Sequence, residues 1–302
     1  MKLPINPGIR EFVSKLMFNA EPVKDASKYR ISIVTPSYNQ AQFLERTILS
    51  VLNQNYPNLE YIIMDGGSTD GSVDIIKEYE KYLAYWVSAK DGGQSEAIKN
   101  GFERATGSIL AWINSDDIYL PDTLLKVADA FSIDKKTDVL YGNMYIIDKD
   151  DRVTEERRLM PWIPIVSKLG TLYGGYGGGY QPSSFWKSEL YNKVGGLDTS
   201  FRFCMDNDLI IRFVLADAEF KYLNEYLSGY RAHEDTKTST LKDIAKSEME
   251  KVFRKNNIKR SGSFIYSKVF SIFKLVIHLF NGNIIWYLKF VINTLLKRTS
   301  IP

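Results

Sequence analysis

Cysteine and histidine are nearly missing from this chain, which carries one Cys and two His among 302 residues. Cys204 alone cannot form an internal disulfide, which fits a reducing compartment, and a single thiol among apolar neighbours is expected to be a small core filler. His233 and His278 are too few for a multi-histidine metal cage. One-sided charge is also absent. Lys and Arg number 39 against 36 Asp and Glu, and the resulting +3 is too small to argue for nucleic acid. The first thirty residues lack the basic, apolar, then small pattern of a secretory signal, so none is expected, and no internal repeat is visible. What remains is the composition of a folded protein, 44% hydrophobic and 25% charged, long enough for one large domain with an appendage.

The chain does have a rhythm of strand and helix. Ile31-Ser32-Ile33-Val34 predicts a buried strand stopping at Pro36, and Phe43, Leu44, Ile48, Val51 and Leu52 follow at helical spacing. A second strand, Tyr61 to Met64, is broken by Asp65-Gly66-Gly67-Ser68, and Val73 to Tyr79 is helical, with Thr69 or Asp70 as N-cap. Tyr85 to Ser88 is a third strand, ended by Asp91-Gly92-Gly93. A helix from about Ser95 to Ala105 leads to a fourth strand, Ser108 to Ile113. This alternation predicts an α/β protein with a doubly wound, mostly parallel sheet flanked by helices. Right-handed crossovers then bring the loops Thr35–Asn39, Asp65–Ser68, Asp91–Gln94 and Asn114–Asp117 to one crevice at the carboxyl ends of the strands.

Downstream the pattern loosens. Pro121 to Phe131 predicts a helix, Val139 to Ile147 a strand, Gln181 to Phe185 another strand, and a short helix falls near Leu190. Asp206 to Leu215 predicts a helix opened by acids, which suits its dipole. The glycine run Gly174 to Gly179 reads as a flexible loop in the half that would admit an acceptor.

Two adjacent carboxylates, Asp116 and Asp117, stand just past the fourth strand. They could form a turn leading into the next helix, since Asp and Asn bond their own backbone. They could equally hold a hard divalent cation together with a phosphate. Asp65 and Asp91 each precede a Gly-Gly pair, so the backbone can approach a flat ligand while the carboxylate accepts a hydrogen bond from it, as from the N–H of a uracil ring. Neither loop matches a dinucleotide fingerprint or a phosphate-binding P-loop. A nucleotide bound here would therefore need a metal for its phosphates.

Several segments in order carry a family likeness: Thr35-Pro36-Ser37-Tyr38-Asn39, Asp65-Gly66-Gly67-Ser68-Thr69-Asp70-Gly71-Ser72, Asp91-Gly92-Gly93-Gln94, and Ala111-Trp112-Ile113-Asn114-Ser115-Asp116-Asp117. They continue through Gln181-Pro182, Val194-Gly195-Gly196-Leu197-Asp198, Met205-Asp206-Asn207-Asp208-Leu209 and Tyr230-Arg231-Ala232-His233. Together, over roughly residues 30 to 235, the chain resembles the family 2 glycosyltransferases of the GT-A fold, in the bacterial branch that builds O-antigen and capsular polysaccharides. The resemblance implies a nucleotide-sugar site made by Thr35, Pro36, Tyr38, Asn39, Asp65, Gly67, Asp91, Gln94, Asn114 and Ser115. Asn114-Ser115-Asp116 stands at the family's Asp-x-Asp metal motif, with asparagine at its first position. The load of Mn²⁺ or Mg²⁺ should therefore fall on Asp116, with Asp117 and His233 as further candidate ligands. A histidine ahead of Glu234-Asp235 could also be a solvated loop residue. Asp206 falls where the family carries its catalytic base, with Asp208 as a rival.

The resemblance implies an inverting, metal-dependent transferase that moves a sugar from a nucleotide sugar, expected to be UDP-linked, to a lipid-linked glycan. Its expected place is cytoplasmic, at the inner face of the cytoplasmic membrane. Other classes are a nucleotidyltransferase, which would want a basic glycine-rich loop after the first strand, and a non-catalytic scaffold of a polysaccharide assembly complex. The expected organisation is an N-terminal extension (1–30), a catalytic domain (31–235, divided near 120 into nucleotide-binding and acceptor halves) and a basic, amphipathic helical appendage (236–302). In that appendage Ser263 to Phe280 and Ile284 to Leu296 are largely apolar, but Lys268 and Lys274 interrupt the first stretch. A mid-bilayer lysine costs roughly 2.5–3.5 kcal/mol, so a helical hairpin in the membrane interface is expected rather than a span. Packing on a homodimer partner is the alternative cover for that apolar face.

Overall fold

The computed structural model describes residues 7–17, 29–174, 181–233 and 242–258. In chain order its elements are α1 (Pro7–Phe12), β1 (Ile31–Ser37), α2 (Ala41–Leu52), β2 (Leu59–Asp65), α3 (Ser72–Tyr79), β3 (Tyr85–Ser88), α4 (Gln94–Arg104) and β4 (Ile109–Trp112). There follow β5 (Ile118–Tyr119), α5 (Thr123–Ile133), β6 (Val139–Ile147), β7 (Val153–Arg157), α6 (Pro164–Gly174), β8 (Ser184–Lys187), α7 (Ser188–Lys193), α8 (Met205–Leu215), β9 (Phe220–Arg231) and α9 (Lys242–Lys255).

All nine strands form one sheet, ordered β3-β2-β1-β4-β8-β6-β9-β5, with β7 beside the outer half of β6. The first four strands are parallel, as the strand–helix alternation requires. The second half is mixed. β8 runs antiparallel to both β4 and β6, and β9 runs parallel to β6. Side chains of period two split the core between the sheet faces. Ile31, Ile33, Ile63 and Ala111 face α2, α3 and α5, whereas Val34, Ile62, Leu110 and Trp112 face α4, α7, α8 and α9. Trp112 and Trp186 meet edge to face at 5.4 Å between centroids, and Phe102 of α4 packs on both. Such pairs add roughly 0.5–1.5 kcal/mol beyond the area they bury. Gly101 lets α4 lie this close to the sheet: a Cβ there would sit 2.5 Å from Val34 Cγ1. That approach fixes the N-terminal end of α4 over the carboxyl edge of the sheet.

Several expectations need correction. β1 runs through Pro36 to Ser37, paired in register with Met64 and Asp65 of β2, so proline does not end it. Gly71, at φ +99°, precedes α3, and Asp70 instead accepts hydrogen bonds from the Ser72 N–H and hydroxyl. β9 has no counterpart in the sequence reading, because its polar, interrupted pattern belongs to a half-exposed strand near one margin of the sheet, covered on its outer side only by the two-residue β5. Within the N-terminal extension, α1 and the residue after it pack on the sheet. Ile9, Phe12 and Val13 are buried against Ile118, Leu120, Ile147 and Val153. Likewise α9, assigned to the tail, packs on α8 with Val252 and Phe253 buried. The glycine-rich residues 175–180 and the expected interfacial hairpin, Ser263 onward, lie outside the described residues. Among those described, no helix is long and apolar enough to cross a membrane.

Candidate active site

A cleft of about 1050 Å³ opens at the carboxyl ends of β1, β2 and β4, where the four loops converge. On one side Pro36, Tyr38, Gly66, Gly67, Asp91 and Gln94 line it, and Asn114, Ser115 and Asp116 form its floor. Met144, Ile146, Arg157, Phe203, Met205, Asp206 and Tyr230 make the opposite wall. The two halves of the sheet thus face each other across it.

The Tyr38 side is a flat slot. Tyr38 is 62% exposed, a large value for an aromatic ring unless something is meant to cover it. Between that ring and the Asp91 carboxylate lies Gly66. A Cβ at this position would come within 3.2 Å of Asp91 Oδ1 and 3.3 Å of Tyr38 Cδ2, so glycine keeps the slot open. Asp91 Oδ1 accepts the Gly93 N–H at 2.8 Å, which fixes the carboxylate beside the opening.

Three residues expected to touch the ligand lie elsewhere. Asp65 is 2% exposed and accepts from the N–H groups of Gly67 and Ser68 and from the hydroxyls of Ser68 and Ser88. Its oxygens are committed to shaping the loop, and Asp91 is the carboxylate facing the slot. Thr35 is fully buried, its hydroxyl 3.1 Å from that of Tyr61. Asn39 ties the first loop to the second: its N–H donates to Ser68 Oγ and its Oδ1 accepts the Thr69 N–H. All three build the slot without lining it.

The adjacent aspartates divide their work. Asp116 lines the cleft, and its Oδ2 lies 3.2 Å from Nε2 of His233. Asp117, expected as a second metal ligand, is 1% exposed and turned inward. It accepts the Arg231 N–H at 2.9 Å and the Asn114 amide at 3.1 Å. Desolvation, reinforced by the Asp116 charge, raises its pKa well above the usual carboxylate range despite those hydrogen bonds. Asn114 also receives Gln94 Nε2 on its Oδ1 at 2.7 Å and donates to Gln181 Oε1 at 3.3 Å. Such a position needs an acceptor and donors together, which an amide supplies and a carboxylate does not. An aspartate here would also confront buried Asp117.

Arg231, fully buried, knits this floor together. It donates to the carbonyls of Asp116 and Asp148 and pairs with Asp151 at 2.5 Å, while Arg46 grips the other Asp151 oxygen at 2.7 Å. The Phe43 ring lies between the Arg231 guanidinium, 4.8 Å away, and the His233 ring, 4.9 Å away. Sequence reasoning placed Arg231 inside a motif without giving it a role. Its burial is set by partners far away in sequence, which left no local signal.

Across the cleft, Asp206 stands in the first turn of α8. Its Oδ1 accepts the backbone N–H and the side-chain amide of Asn207 at 2.8 and 3.0 Å. Desolvation outweighs these bonds and raises its pKa above the ordinary carboxylate value. The rival Asp208 is fully buried on the far side of the helix, held by Arg212 at 2.8 Å and Lys255 at 3.0 Å. It is a structural anchor, and Asp206 is the carboxylate that faces the cleft.

A parallel half joined to a mixed half, with acids on both walls of the cleft between them, is the build of a GT-A glycosyltransferase. The chain belongs to Glycosyl transferase family 2, whose sequence model matches residues 32–193. It is 32% identical over 188 residues to an uncharacterized glycosyltransferase of Mycobacterium tuberculosis, covering 61% of this chain and 69% of that one. Over 101 residues it is 40% identical to TuaG of Bacillus subtilis, which bears the name of a teichuronic acid biosynthesis glycosyltransferase. That match covers 32% of this chain and 39% of TuaG. The fold is shared with Staphylococcus aureus TarS, residues 1–349, solved with UDP-GlcNAc (TM-score 0.56, 18% identity, 70% of this chain and 61% of that one). It is shared too with the mannosyltransferase PcManGT of Pyrobaculum calidifontis, solved with GDP-Man and Mn²⁺ (TM-score 0.53, 16% identity, 75% of this chain and 63% of that one).

Proposed function

We propose that this glycosyltransferase moves a hexose, with inversion, from a UDP-sugar to a lipid-linked glycan in surface polysaccharide synthesis. The observation that carries the reading is the opposition of Asp206 to the Tyr38–Gly66–Asp91 slot and the Asp116 floor in one cleft. The base would stack on Tyr38 with an N–H directed to Asp91. Asp206 would take the proton of the acceptor hydroxyl as its oxygen bonds to the anomeric carbon, and the bond to the nucleoside diphosphate breaks on the opposite face. TuaG and TarS support the polymer and the UDP donor by analogy. PcManGT, with GDP-Man, makes the guanine nucleotide the informative comparison in any screen.

Asp116 and His233 converge closely enough to share a divalent cation, and one carboxylate with one imidazole suits an ion that takes its other ligands from phosphate and water. Among the described residues no group of three His, Cys, Asp or Glu makes a closed metal cage, in keeping with such an open site. Mn²⁺ or Mg²⁺ held there would neutralise charge on the departing diphosphate. A thermal-shift screen of UDP-glucose, UDP-galactose, UDP-GlcNAc and GDP-mannose, with and without Mn²⁺, tests the reading. A UDP-sugar should stabilise the protein most, and only with the ion. Asp116→Ala should lose that metal-dependent shift while keeping a wild-type melting temperature without ligand. A shift that survives in the variant places the ion elsewhere.

The membrane contact is a separate proposal. Because α9 is part of the folded domain, removal of the tail should begin at Ser261, after that helix. The shortened protein should stay folded and no longer sediment with anionic vesicles. Continued sedimentation would assign membrane binding to another surface, and a dimer-to-monomer change in its place would make the tail a dimer contact.

A further inference from the structure

The helix that carries Asp206 begins without a cap of its own. Cys204, at its N-cap position, makes no side-chain capping hydrogen bond among the described residues. Just before the helix, three successive backbone N–H groups converge on one carboxylate. Arg202 donates to Oε1 of Glu248 at 2.8 Å, and Phe203 and Cys204 donate to Oε2 at 2.8 and 2.9 Å. Consecutive N–H groups of this kind form an anion-binding nest, and a negative charge here also meets the positive end of α8. Glu248 comes from α9, beyond residues 32–193 that define the family.

The nest is held from several sides. Val252 and Phe253 of α9 are buried, Lys255 bridges Asp198 at 2.7 Å and Asp208 at 3.0 Å, and Lys251 reaches Ser200 at 3.3 Å. On the sheet side, Ser95 of α4 donates to the Phe201 carbonyl. The strap so fixed is a wall of the cleft: Phe203, Met205 and Asp206 all line it, whereas Glu248 does not.

We infer that Glu248 is a positioning residue for sugar transfer, holding the strap 202–204 so that Asp206 meets the acceptor hydroxyl. The inference rests on Asp206 being the base. Burial works against the charge of Glu248, but its three N–H donors, with Lys251 nearby, hold the carboxyl below the usual range. The strap therefore stays fastened while Asp206, raised by desolvation, gains its proton. An acid limb in the pH–rate profile reports Asp206.

The test compares Glu248→Ala, Glu248→Gln, Val127→Ala and Asp206→Asn. UDP affinity with Mn²⁺ is read by calorimetry, turnover by UDP release from the UDP-sugar of largest thermal shift, and strap order by amide exchange of residues 202–204. Glu248→Ala should lower kcat about 10- to 100-fold, the scale of a small misplacement of a reacting group, with UDP affinity unchanged and faster exchange in the strap. Glu248→Gln keeps an oxygen for two of the three N–H groups and should fall between. Val127→Ala opens a cavity under α5, on the other face of the sheet from α9 and away from the cleft. It should lower Tm and leave kcat intact well below that temperature. Wild-type kcat in Glu248→Ala, beside a dead Asp206→Asn, overturns the role of Glu248 and leaves the base in place. If Glu248→Ala does not fold, wild-type kcat in Glu248→Gln overturns it equally. Full turnover in Asp206→Asn removes the base reading itself.

Discussion

Asp206→Asn should abolish most sugar transfer, a loss of about 10²- to 10⁴-fold in kcat, while UDP binding persists. The amide keeps the oxygen that accepts the two Asn207 hydrogen bonds, so the local structure has no reason to change. What disappears is the capacity to take a proton. The same substitution should raise Tm at neutral pH. A carboxyl whose pKa is raised by folding costs stability wherever it is ionised, above that raised value, and the cost vanishes as pH falls and the folded state takes up the proton. The gain in Tm should accordingly shrink on acidification. In the native enzyme, activity should fall as pH drops through the raised pKa of Asp206, at higher pH than an ordinary aspartate would give. Stopped assays across pH, paired with melting curves of both proteins, check the two signs together. Activity lost without any gain in stability would make Asp206 structural.

Arg231→Met should destabilise the protein by about 3–5 kcal/mol, the scale for breaking a buried pair by removing one partner. Met resembles arginine in length, so little volume is lost. The damage is electrostatic: Asp151 is left with Arg46 alone, Asp117 loses a nearby positive charge while keeping the backbone N–H at 231, and the carbonyls of Asp116 and Asp148 lose their donor. Lowering the pH should narrow the gap between variant and wild type, because the folded variant can protonate Asp117, whose pKa is already high. Arg231→Lys should be intermediate, since one ammonium keeps the charge but cannot reproduce a fork that reaches three acceptors. Urea denaturation at two pH values measures this. Wild-type stability in Arg231→Met would mean that the cluster contributes nothing net.

Much of the parallel half, β1 to β4, was legible in the sequence, because its signals are local. Tyr85 to Ser88 is an aromatic and β-branched run followed by the Asp91-Gly92-Gly93 stop, and the Asp-Gly-Gly stops marked the loops that converge. The inward turn of Asp65 was not legible, since it depends on Ser88, 23 residues away. Nor could spacing separate Asp116 from Asp117, which are adjacent and differ only in which side of the chain they leave. The preference for Asp206 over Asp208 followed from position in a helical turn, and the structure gives its physical reason in Lys255, 47 residues on. Arg231 and Glu248 act wholly through partners distant in sequence, where no local pattern could announce them.

The sheet order also has a consequence for the growing chain. β4 is wholly buried, and one of its edges is paired only when β8 arrives. Roughly seventy residues are synthesised between those two strands, through β5, β6 and β7, before Ser184–Lys187 can close the gap. Until then Ile109–Trp112 presents an unpaired apolar edge, the kind of surface on which chains associate. The middle of the sheet is thus sealed late, with only β9 still to come, and the exposure lasts as long as translation takes to pass from β4 to β8.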